Sequence, residues 1–292
     1  MAHAIAEPDK FIHFEPAERA FIVAEENEAA LSPSNHLDGS VPRRILITGA
    51  GGGMSRGINE TLASAGHTLI CTDVNLAAAE AASERVTSSG GQSYAYPVDV
   101  TSEDSVTELA AAIDRDFGGI DVLVNAAGLL DRKYLVDHDG SSFDGVIDVN
   151  LNGPFRMIRH FAPGMAERGW GRVINISSIA GTTGYPYPSY AASKAGLSNL
   201  TRSLLLDFWG TGVTVNNICP GVVDTTMVIQ AVRDQVKAKV PTENIIDPKE
   251  IGAYIEFLLG DAAKNINGAD LMIDGGATQV FRLFDDKPES FR

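Results

Sequence analysis

Short aliphatic runs alternate with longer amphipathic stretches along most of this chain. Ile45-Leu46-Ile47 is followed by an amphipathic stretch from Ile58 to Ala65, and the pattern repeats with an apolar run at 68–71 and an amphipathic stretch at 76–86. Strands covered on both faces are apolar along their length, whereas helices are apolar on one face, so the alternation predicts β-α units. Further short apolar runs predict strands at 93–98, 122–124, 172–176, 214–218 and 271–273. The intervening stretches predict helices, notably over 103–117, 141–167, 188–209 and 248–260.

This order of elements predicts one fold class. Seven parallel strands with helices on both faces form a doubly wound, three-layer α/β sandwich of the Rossmann type, which we place at residues 43–280. Residues 1–42 are rich in Glu, Ala and Pro and are predicted to be an N-terminal extension. Apolar residues such as Phe11 and Phe14 favour packing of this extension against the main body or a neighbouring subunit, and a disordered tail is the alternative. Residues 281–292 are predicted to be a C-terminal tail.

The charge balance limits the partners of the protein. Lys and Arg number 23 against 38 Asp and Glu, giving a formal charge of -15, so the surface repels polyanions. We therefore predict no nucleic-acid partner, and a strongly acidic protein partner such as an acyl carrier protein is disfavoured. No stretch approaches the length of a membrane-spanning helix, and the N-terminus lacks the pattern of a secretory signal. The sequence thus predicts a cytoplasmic protein with a small-molecule substrate and no membrane partner.

Cysteine and histidine usage gives no support for a metal site. Cys71 and Cys219 each lie in an apolar run that predicts a buried strand, which is typical of ordinary buried thiols in a reducing compartment. The six histidines show no HxxxH or comparable spacing. No metal is predicted.

A glycine-dense turn follows the first predicted strand and leads into a helix. It reads Thr48-Gly49-Ala50-Gly51-Gly52-Gly53-Met54-Ser55. Because glycine has no side chain to block the approach, a pyrophosphate can reach the backbone amides and the helix N-terminus. The next strand ends at Asp73, where a carboxylate accepts hydrogen bonds from an adenosine ribose and repels a 2′-phosphate. The pattern favours NAD over NADP. Arg56 is the one cation in the turn that could reach a 2′-phosphate, and a solvated first-turn arginine is the preferred interpretation.

Several further motifs occur in the order found in one enzyme family. They are Asp99-Val100, Asn125-Ala126-Ala127-Gly128, Asn150, Asn175-Ile176-Ser177-Ser178, Tyr190 with Lys194, Pro220-Gly221-Val222-Val223-Asp224-Thr225 and Asp274-Gly275-Gly276. With these motifs the chain resembles the short-chain dehydrogenase/reductase family from about Arg44 to Gly276. It departs from the family pattern at Ser55, where the third glycine of the turn is usual, and at Ala126, where a second asparagine is usual.

The residues themselves suit hydride transfer between nicotinamide and a secondary alcohol. The hydroxyl proton must leave as the hydride leaves, so a base must lie beside that oxygen. Lys194 lies four residues after Tyr190, on the same helix face, where its ammonium favours the phenolate and lowers the pKa of the tyrosine. Ser178 is predicted to stabilise the substrate oxygen, with Ser177 as the alternative if the loop is shifted by one residue.

The resemblance implies roles for the remaining motif residues. Asn150 corresponds to a helix-kinking asparagine near Pro154, whose backbone binds a water that relays protons to Lys194, although a structural N-cap or kink-satisfying amide is an alternative. The cofactor contacts implied by the resemblance are Gly49, Gly53, Met54, Ser55 and Asp73 at the turn, Asp99 and Val100 at the adenine, Asn125 and Gly128 along the cofactor, Tyr190 and Lys194 at the nicotinamide ribose, and Val222 and Thr225 at the carboxamide. A homotetramer is also implied.

Three functions fit these observations. The first is an NAD(H)-dependent dehydrogenase of a small polyol, sugar or hydroxy compound. The second is a 3-oxoacyl thioester (acyl carrier protein) reductase, which the acidic charge and Asp73 disfavour. The third is a catalytically silent nucleotide sensor, which has no chemical need for the complete set of Asn150, Ser178, Tyr190 and Lys194. Residues 129–134, 179–188 and 226–247 are predicted to surround the substrate, and 227–240 resembles a mobile helical lid.

Overall fold

The computed structural model describes residues 41–225 and 228–280, apart from the side chain of Lys237. The predicted N-terminal extension, except for its last two residues, and the predicted C-terminal tail at 281–292 lie outside the described residues. Thr226, the first residue of the predicted substrate segment 226–247, and Met227, the first residue of the predicted lid, also lie outside them.

Within the described ranges the chain forms one sheet of seven parallel strands. The strands are β1 (Arg44–Thr48), β2 (Thr68–Asp73), β3 (Gln92–Pro97), β4 (Val122–Asn125), β5 (Gly171–Ile176), β6 (Val213–Pro220) and β7 (Asp270–Ile273). Their order in the sheet is β3-β2-β1-β4-β5-β6-β7. The direction of winding reverses between β1 and β4, and open α/β sheets bind ligands at the carboxyl ends of strands beside such a switch point. The predicted Rossmann-type doubly wound fold is confirmed.

Helices cover both faces of this sheet. They are α1 (Gly53–Ser64), α2 (Leu76–Ser88), α3 (Glu103–Phe117), α4 (Gly140–Ile147), α5 (Gly153–Glu167), α6 (Pro188–Ser203), α7 (Gln230–Lys239) and α8 (Pro248–Leu259). Because successive side chains of a strand point to opposite faces, Ile45 and Ile47 pack in the core below α1 and α8, whereas Leu46 packs in the core below α3 and α5. Both faces are therefore closed, and the strand ends are left to bind a ligand.

The helix predicted over 141–167 is interrupted at its centre. Asp148–Asn152 form one turn of π-helix between α4 and α5, and the Gly153 amide donates to the Asp148 carbonyl five residues earlier. Pro154 has no N–H to donate to the Asn150 carbonyl, so the regular helical hydrogen bond at that point is absent. Single π turns are frequent at functional sites, and this one holds Asn150.

The first helix begins at Gly53, so the glycine turn leads directly into it, as predicted. One other predicted boundary was wrong. The helix predicted over 188–209 ends at Ser203. Beyond it the hydrogen bonds tighten to a three-residue spacing, as between the Asp207 amide and the Leu204 carbonyl, and Trp209 is 82% exposed. Leu204 and Phe208 still pack against the core below α3 and α5, so the apolar periodicity continues past the end of the helix itself.

Candidate active site

The glycine turn is shaped by steric limits that only glycine meets. Gly49 has a φ of 63°, and a Cβ there would lie 2.8 Å from the Ala127 Cα. A Cβ on Gly51 would lie 2.6 Å from that of Ala78 and 3.1 Å from a carboxylate oxygen of Asp73. The backbone of the turn is therefore open to a ligand at the mouth of the β1–α1 crevice, with Gly53 and Met54 in the first turn of α1.

Ser55 uses its hydroxyl inside the turn. The Oγ donates to the Gly49 carbonyl at 2.8 Å, and the side chain is 2% exposed. Asn59, one helical turn later, donates from Nδ2 to the Ala50 carbonyl at 3.1 Å. Both side chains fix the turn to α1, so the Ser55 hydroxyl is not available as a phosphate donor. Asn59 was not predicted as a site residue, since the sequence pattern of the turn ends before it.

Asp73 lies at the carboxyl end of β2, facing the glycine turn. One carboxylate oxygen accepts from the Gly51 amide at 3.2 Å, and the other accepts from the Asn75 amide at 3.0 Å. Arg56 points elsewhere, since its Nε lies 3.1 Å from a carboxylate oxygen of Glu60. Within residues 41–225 and 228–280, the group beside the turn is therefore a carboxylate and not an arginine.

The end of β3 completes this edge of the crevice. The Val98 amide donates to the Asp73 carbonyl at 3.0 Å, so Asp99 and Val100 follow directly beside β2. Asp99 accepts from the Thr101 amide at 2.9 Å in a local turn.

Thr48 ties the ends of β1 and β4 together at the switch point. Its Oγ accepts from the amides of Ala126 and Ala127, at 3.1 and 3.0 Å. This contact places the turn after Asn125 directly against the glycine turn.

Asn150 holds the loop that follows β4. Its Oδ1 accepts from the Leu129 amide at 2.8 Å, and its Nδ2 donates to the Leu129 carbonyl at 2.9 Å and to the Ser193 hydroxyl at 3.1 Å. A Cβ on Gly128 would lie 3.6 Å from the Asn150 Oδ1 and 3.9 Å from the Lys194 Nζ. The structure thus brings Gly128, Asn150 and Lys194 into one cluster.

Tyr190 and Lys194 lie one turn apart on α6. Lys194 is 4% exposed; its Nζ donates to the Ile176 carbonyl at 2.8 Å and lies 5.7 Å from the centroid of the Tyr190 ring. Burial lowers the pKa of Lys194 to about 8. Burial also raises the pKa of Tyr190, and a hydrogen bond with the Ser178 hydroxyl partly offsets that rise. The sequence predicted that Lys194 lowers the pKa of Tyr190; in this structure burial dominates and that pKa is raised instead.

The two serines after β5 point in different directions. The Ser177 hydroxyl donates to the Lys194 carbonyl at 3.4 Å and is buried against α6. The Ser178 Oγ accepts from the Ala180 amide at 3.1 Å and lies beside the Tyr190 phenol. Of the two serines left open by the sequence, Ser178 is the one whose hydroxyl faces the tyrosine.

Cys219 lies behind this cluster on β6. Burial raises the pKa of its thiol to about 11, with a further contribution from Asp270. Cys71 is also buried, and burial raises the pKa of its thiol as well. Both cysteines are buried free thiols, as predicted.

The segment after β6 carries Val222, Thr225 and the predicted lid. Val222 accepts from the Ile246 amide at 3.1 Å, and Arg233 of α7 forms an ion pair with Asp224. In the described part of the chain, no hydrogen bond joins Val222 or Thr225 to the group around Tyr190.

Two threonines predicted near the substrate use their hydroxyl protons in hydrogen bonds within the protein. Both Thr182 and Thr183 donate to the Ile179 carbonyl, each at 3.0 Å. Their hydroxyls stabilise the turn after β5, and only their lone pairs are left for a substrate.

The fold and this cluster define a dinucleotide-binding oxidoreductase. Residues 49–278 match the family described as enoyl-(acyl carrier protein) reductase. The chain belongs to the short-chain dehydrogenase/reductase family, whose members bind a nicotinamide cofactor. Among the helices of the described residues, none is long and apolar enough to cross a membrane.

The relatives differ in the substrates that their names give. The chain is 37% identical over 240 residues to an acetoacetyl-CoA reductase of Allochromatium vinosum, covering 80% of this chain and 98% of that protein. It is 36% identical over 247 residues to a D-threitol dehydrogenase of Mycolicibacterium smegmatis, covering 83% and 94%. A gluconate 5-dehydrogenase of Burkholderia cenocepacia, solved with NADP and tartrate, superimposes with a TM-score of 0.79 at 28% identity, covering 84% and 99%.

Proposed function

We propose that this chain is an NAD(H)-dependent dehydrogenase that interconverts a secondary alcohol and a ketone of a small polyol, sugar or hydroxy compound. The observation that carries the proposal is the cluster of Tyr190, Lys194, Ser178 and Asn150 at the carboxyl ends of β4 and β5, next to the glycine turn. When bound, the nicotinamide accepts or supplies the hydride. Tyr190 accepts the hydroxyl proton of the alcohol, and Ser178 donates a hydrogen bond to the same oxygen.

Lys194 and Asn150 support the proton transfer. The Lys194 ammonium, held by the Ile176 carbonyl, stabilises the Tyr190 phenolate and binds the nicotinamide ribose. The Asn150 backbone carbonyl has no helical partner at Pro154, and we assign to it a water that carries the proton from Lys194 to solvent. The Asn150 side chain fixes this carbonyl by holding Leu129.

The residues at the glycine turn fit a dinucleotide, and Asp73 favours NAD. Its carboxylate already lies at the turn, 3.2 Å from the Gly51 amide, where a 2′-phosphate would meet a negative charge. Arg56, the nearest arginine in sequence, is paired with Glu60. The roles of Asp99 and Val100 at the adenine, of Asn125 and Gly128 along the cofactor, and of Val222 and Thr225 at the carboxamide are part of this proposal.

A panel of polyols, sugars, hydroxy acids and steroids, offered with NAD and separately with NADP, tests the proposal through the absorbance of reduced nicotinamide. We expect kcat/KM with NAD to exceed that with NADP by about a hundredfold, since a ribose hydrogen bond and a charge repulsion both discriminate. Asp73→Ser is expected to lower the ratio of kcat/KM with NAD to kcat/KM with NADP by at least about tenfold. Preference of the unaltered enzyme for NADP would contradict the assignment of Asp73.

A second candidate function is reduction of a 3-oxoacyl thioester. It is supported by the name of the Allochromatium vinosum relative, an acetoacetyl-CoA reductase. Oxidation of NADH by acetoacetyl-CoA, compared with oxidation by small ketones, separates the two candidates. Higher kcat/KM with the thioester than with every ketone of the panel would favour the second function.

A homotetramer is part of the proposal. Leu206 and Trp209, just after α6, are 76% and 82% exposed, and such apolar residues are commonly covered in oligomers. Light scattering on the full chain tests this directly. A monomeric mass would contradict it.

A further inference from the structure

Three tyrosines continue outward from Tyr190 in a row of ring contacts. The ring centroids of Tyr190 and Tyr185 are 6.0 Å apart, those of Tyr185 and Tyr187 are 5.6 Å apart, and those of Tyr187 and Tyr134 are 5.7 Å apart. Tyr185 and Tyr187 lie between β5 and α6, and Tyr134 lies on the loop after β4. We call Tyr134, Tyr185 and Tyr187 the tyrosine wall. It begins at the proposed base and leads away from it along one side of the site.

Packing alone does not account for the wall. Tyr134 is 55% exposed, so its ring adds little to the core. In residues 41–225 and 228–280 no hydrogen bond reaches the phenol oxygens of Tyr134, Tyr185 or Tyr187. Burial raises the pKa of Tyr185, so its phenol stays neutral and able to donate a hydrogen bond. The wall thus presents aromatic faces together with free hydroxyl groups.

The backbone that carries the wall is held in place. Leu129, at the start of the loop that bears Tyr134, is bound on both sides by the Asn150 amide. His138, at the end of the same loop, contacts the Ser189 hydroxyl at 3.4 Å, directly before Tyr190. The rings are therefore positioned in advance relative to the proposed base, which lowers the cost of ordering them around a substrate.

Aromatic faces with free phenols suit a saturated ring that bears hydroxyl groups. The C–H face of such a ring packs on an aromatic face, and its hydroxyls exchange hydrogen bonds with the phenols. A flexible acyl chain uses the apolar faces but leaves the phenol oxygens unpaired on binding, which costs affinity. The formal charge of -15 also opposes the highly anionic carriers of acyl thioesters.

We propose that the tyrosine wall selects a cyclic polyol, a six-membered ring with several hydroxyls whose reacting carbon belongs to the ring. This inference rests on the proposed dehydrogenase function. The ring C–H–OH gives a hydride from carbon to NAD and its hydroxyl proton to the Tyr190 phenolate, leaving a ring ketone, NADH and one proton released to solvent. The remaining hydroxyls of the ring lie along the wall.

Paired substitutions separate the two chemical properties of the wall. Tyr134→Leu and Tyr187→Leu remove an aromatic face and a hydroxyl, whereas Tyr134→Phe and Tyr187→Phe remove the hydroxyl alone. Tyr94→Leu is the matched control, because Tyr94 is 40% exposed on β3, at the far edge of the sheet, and packs on Phe117. The substrates are myo-inositol and glucose as ring polyols, sorbitol as a straight-chain polyol, cyclohexanol as a ring without further hydroxyls, and 3-hydroxybutyryl-CoA.

We expect kcat/KM with NAD to be highest for a ring polyol. Each Leu variant should lower that value about tenfold, and each Phe variant about threefold, as expected for the loss of an aromatic contact or of one hydrogen bond. With sorbitol the change should stay within about twofold, as should the effect of Tyr94→Leu on every substrate. Faster turnover of sorbitol, cyclohexanol or the thioester than of both ring polyols would overturn the inference.

Binding without turnover gives an independent readout. Calorimetric titration of the ring polyols into Tyr190→Phe loaded with NAD is expected to show binding that Tyr134→Leu weakens about tenfold. Absence of binding by both ring polyols, in a protein that binds NAD, overturns the ring assignment and leaves the dehydrogenase proposal standing if another alcohol is oxidised. Loss of NAD binding itself, or turnover that Tyr190→Phe does not affect, is a failure of the proposed function and not of the wall alone.

Discussion

The candidate site contains a buried ammonium group. Lys194 is 4% exposed, and its Nζ donates to one backbone carbonyl, that of Ile176, at 2.8 Å. Without water around it, the charged form is disfavoured, and the pKa of Lys194 falls from 10.5 to about 8. The proposed role of Lys194, to stabilise a Tyr190 phenolate, requires a cation at this buried position.

Replacing Lys194 by Met should remove the cost together with the activity. The folded pKa lies below the unfolded one, so the penalty is full below about pH 8, declines as pH rises toward about 10.5, and is absent above it. The drop corresponds to at most roughly 3 kcal/mol in the free energy of unfolding. Urea unfolding from about pH 7 to about pH 10 should show wild type gaining stability relative to Lys194→Met. Parallel pH profiles of the two proteins would contradict the burial of a charged Lys194.

Ser55 replaces the usual third glycine of the turn, and its side chain helps to hold the turn in place. The hydroxyl bonds the Gly49 carbonyl, so Ser55→Ala should loosen the turn and raise the Kd for NADH about five- to tenfold, as for the loss of one buried hydrogen bond. Fluorescence titration of NADH measures this. Ser64→Ala is the control, since Ser64 makes a similar bond to the Glu60 carbonyl on the exposed side of α1. Equal Kd values in all three proteins would show that the hydroxyl does not support the turn.

At the scale of elements, the loop after β4 is joined to the helix that carries Tyr190. The Ser142 hydroxyl donates to the Asp139 carbonyl at 3.1 Å and so accepts from Nδ1 of His138, also at 3.1 Å. The other ring nitrogen of His138 then accepts from the Ser189 hydroxyl at 3.4 Å. His138 therefore links the substrate loop to the first turn of α6.

His138→Ala should raise KM for the substrate about fivefold while the Kd for NADH stays within about twofold, because the loop and not the glycine turn is released. His138→Gln, whose side-chain oxygen still accepts from Ser189, should recover part of the loss. His160→Ala, which removes a contact with Glu103 on the outside of α5, is the control. Steady-state kinetics measure KM for each variant. An unchanged KM in His138→Ala would contradict the proposed link between the substrate loop and α6.

A row of polar side chains crosses four neighbouring strands at one level of the sheet. Asn125, Asn175, Asn217 and Asp270 are in register from β4 to β7. Asn125 donates to Asn175 at 2.8 Å, Asn175 to Asn217 at 3.2 Å, and Asn217 to Asp270 at 2.7 Å. The row ends at the strand that bears Asn125, beside the predicted cofactor site.

Breaking this row should destabilise the whole sheet. Asn217 is fully buried, and Asn217→Leu removes the acceptor of the Thr201 hydroxyl. It also removes one of the partners of Asn175, which keeps its bond to Thr201, and one of the partners of Asp270, which keeps its ion pair with Arg202. The free energy of unfolding in urea should fall by about 1–3 kcal/mol, because the buried Thr201 hydroxyl is left without an acceptor. A decrease below about 0.5 kcal/mol would show that water or neighbouring groups replace the bonds.

Helices and strands were predictable where the hydrophobic periodicity of the sequence is strong. The β-α alternation placed all seven strands to within about two residues, which is the usual ambiguity of strand and helix ends. Hydrophobic spacing predicted an unbroken helix over 141–167 and gave no sign of the π turn at Asp148–Asn152, whereas the family resemblance implied a kink at Asn150 near Pro154. The same limit hid Asn59 and the polar row, since a strand register is not visible in a sequence.

At the scale of the molecule, the order of strands brings the predicted site residues to one edge. On one side of the crevice lie the glycine turn after β1, Asp73 of β2 and Asn125 of β4. On the other side lie Ser178, just after β5, and Tyr190 and Lys194 of α6. Motifs in family order were enough to predict this convergence. The tyrosine wall was not predictable as a unit, since Tyr134 lies about fifty positions from Tyr187 in the chain and meets it only in the fold.

The removal of the Tyr190 hydroxyl is the most direct test of the whole account. Steady-state oxidation of the best alcohol with NAD is compared between wild type and Tyr190→Phe, and the Kd for NADH is measured in the same samples. We predict that kcat falls about a thousandfold, because the base for the hydroxyl proton is gone, while the Kd for NADH stays within about twofold. A kcat within about tenfold of wild type, with cofactor binding intact, would show that another group removes the proton and would contradict the proposed mechanism.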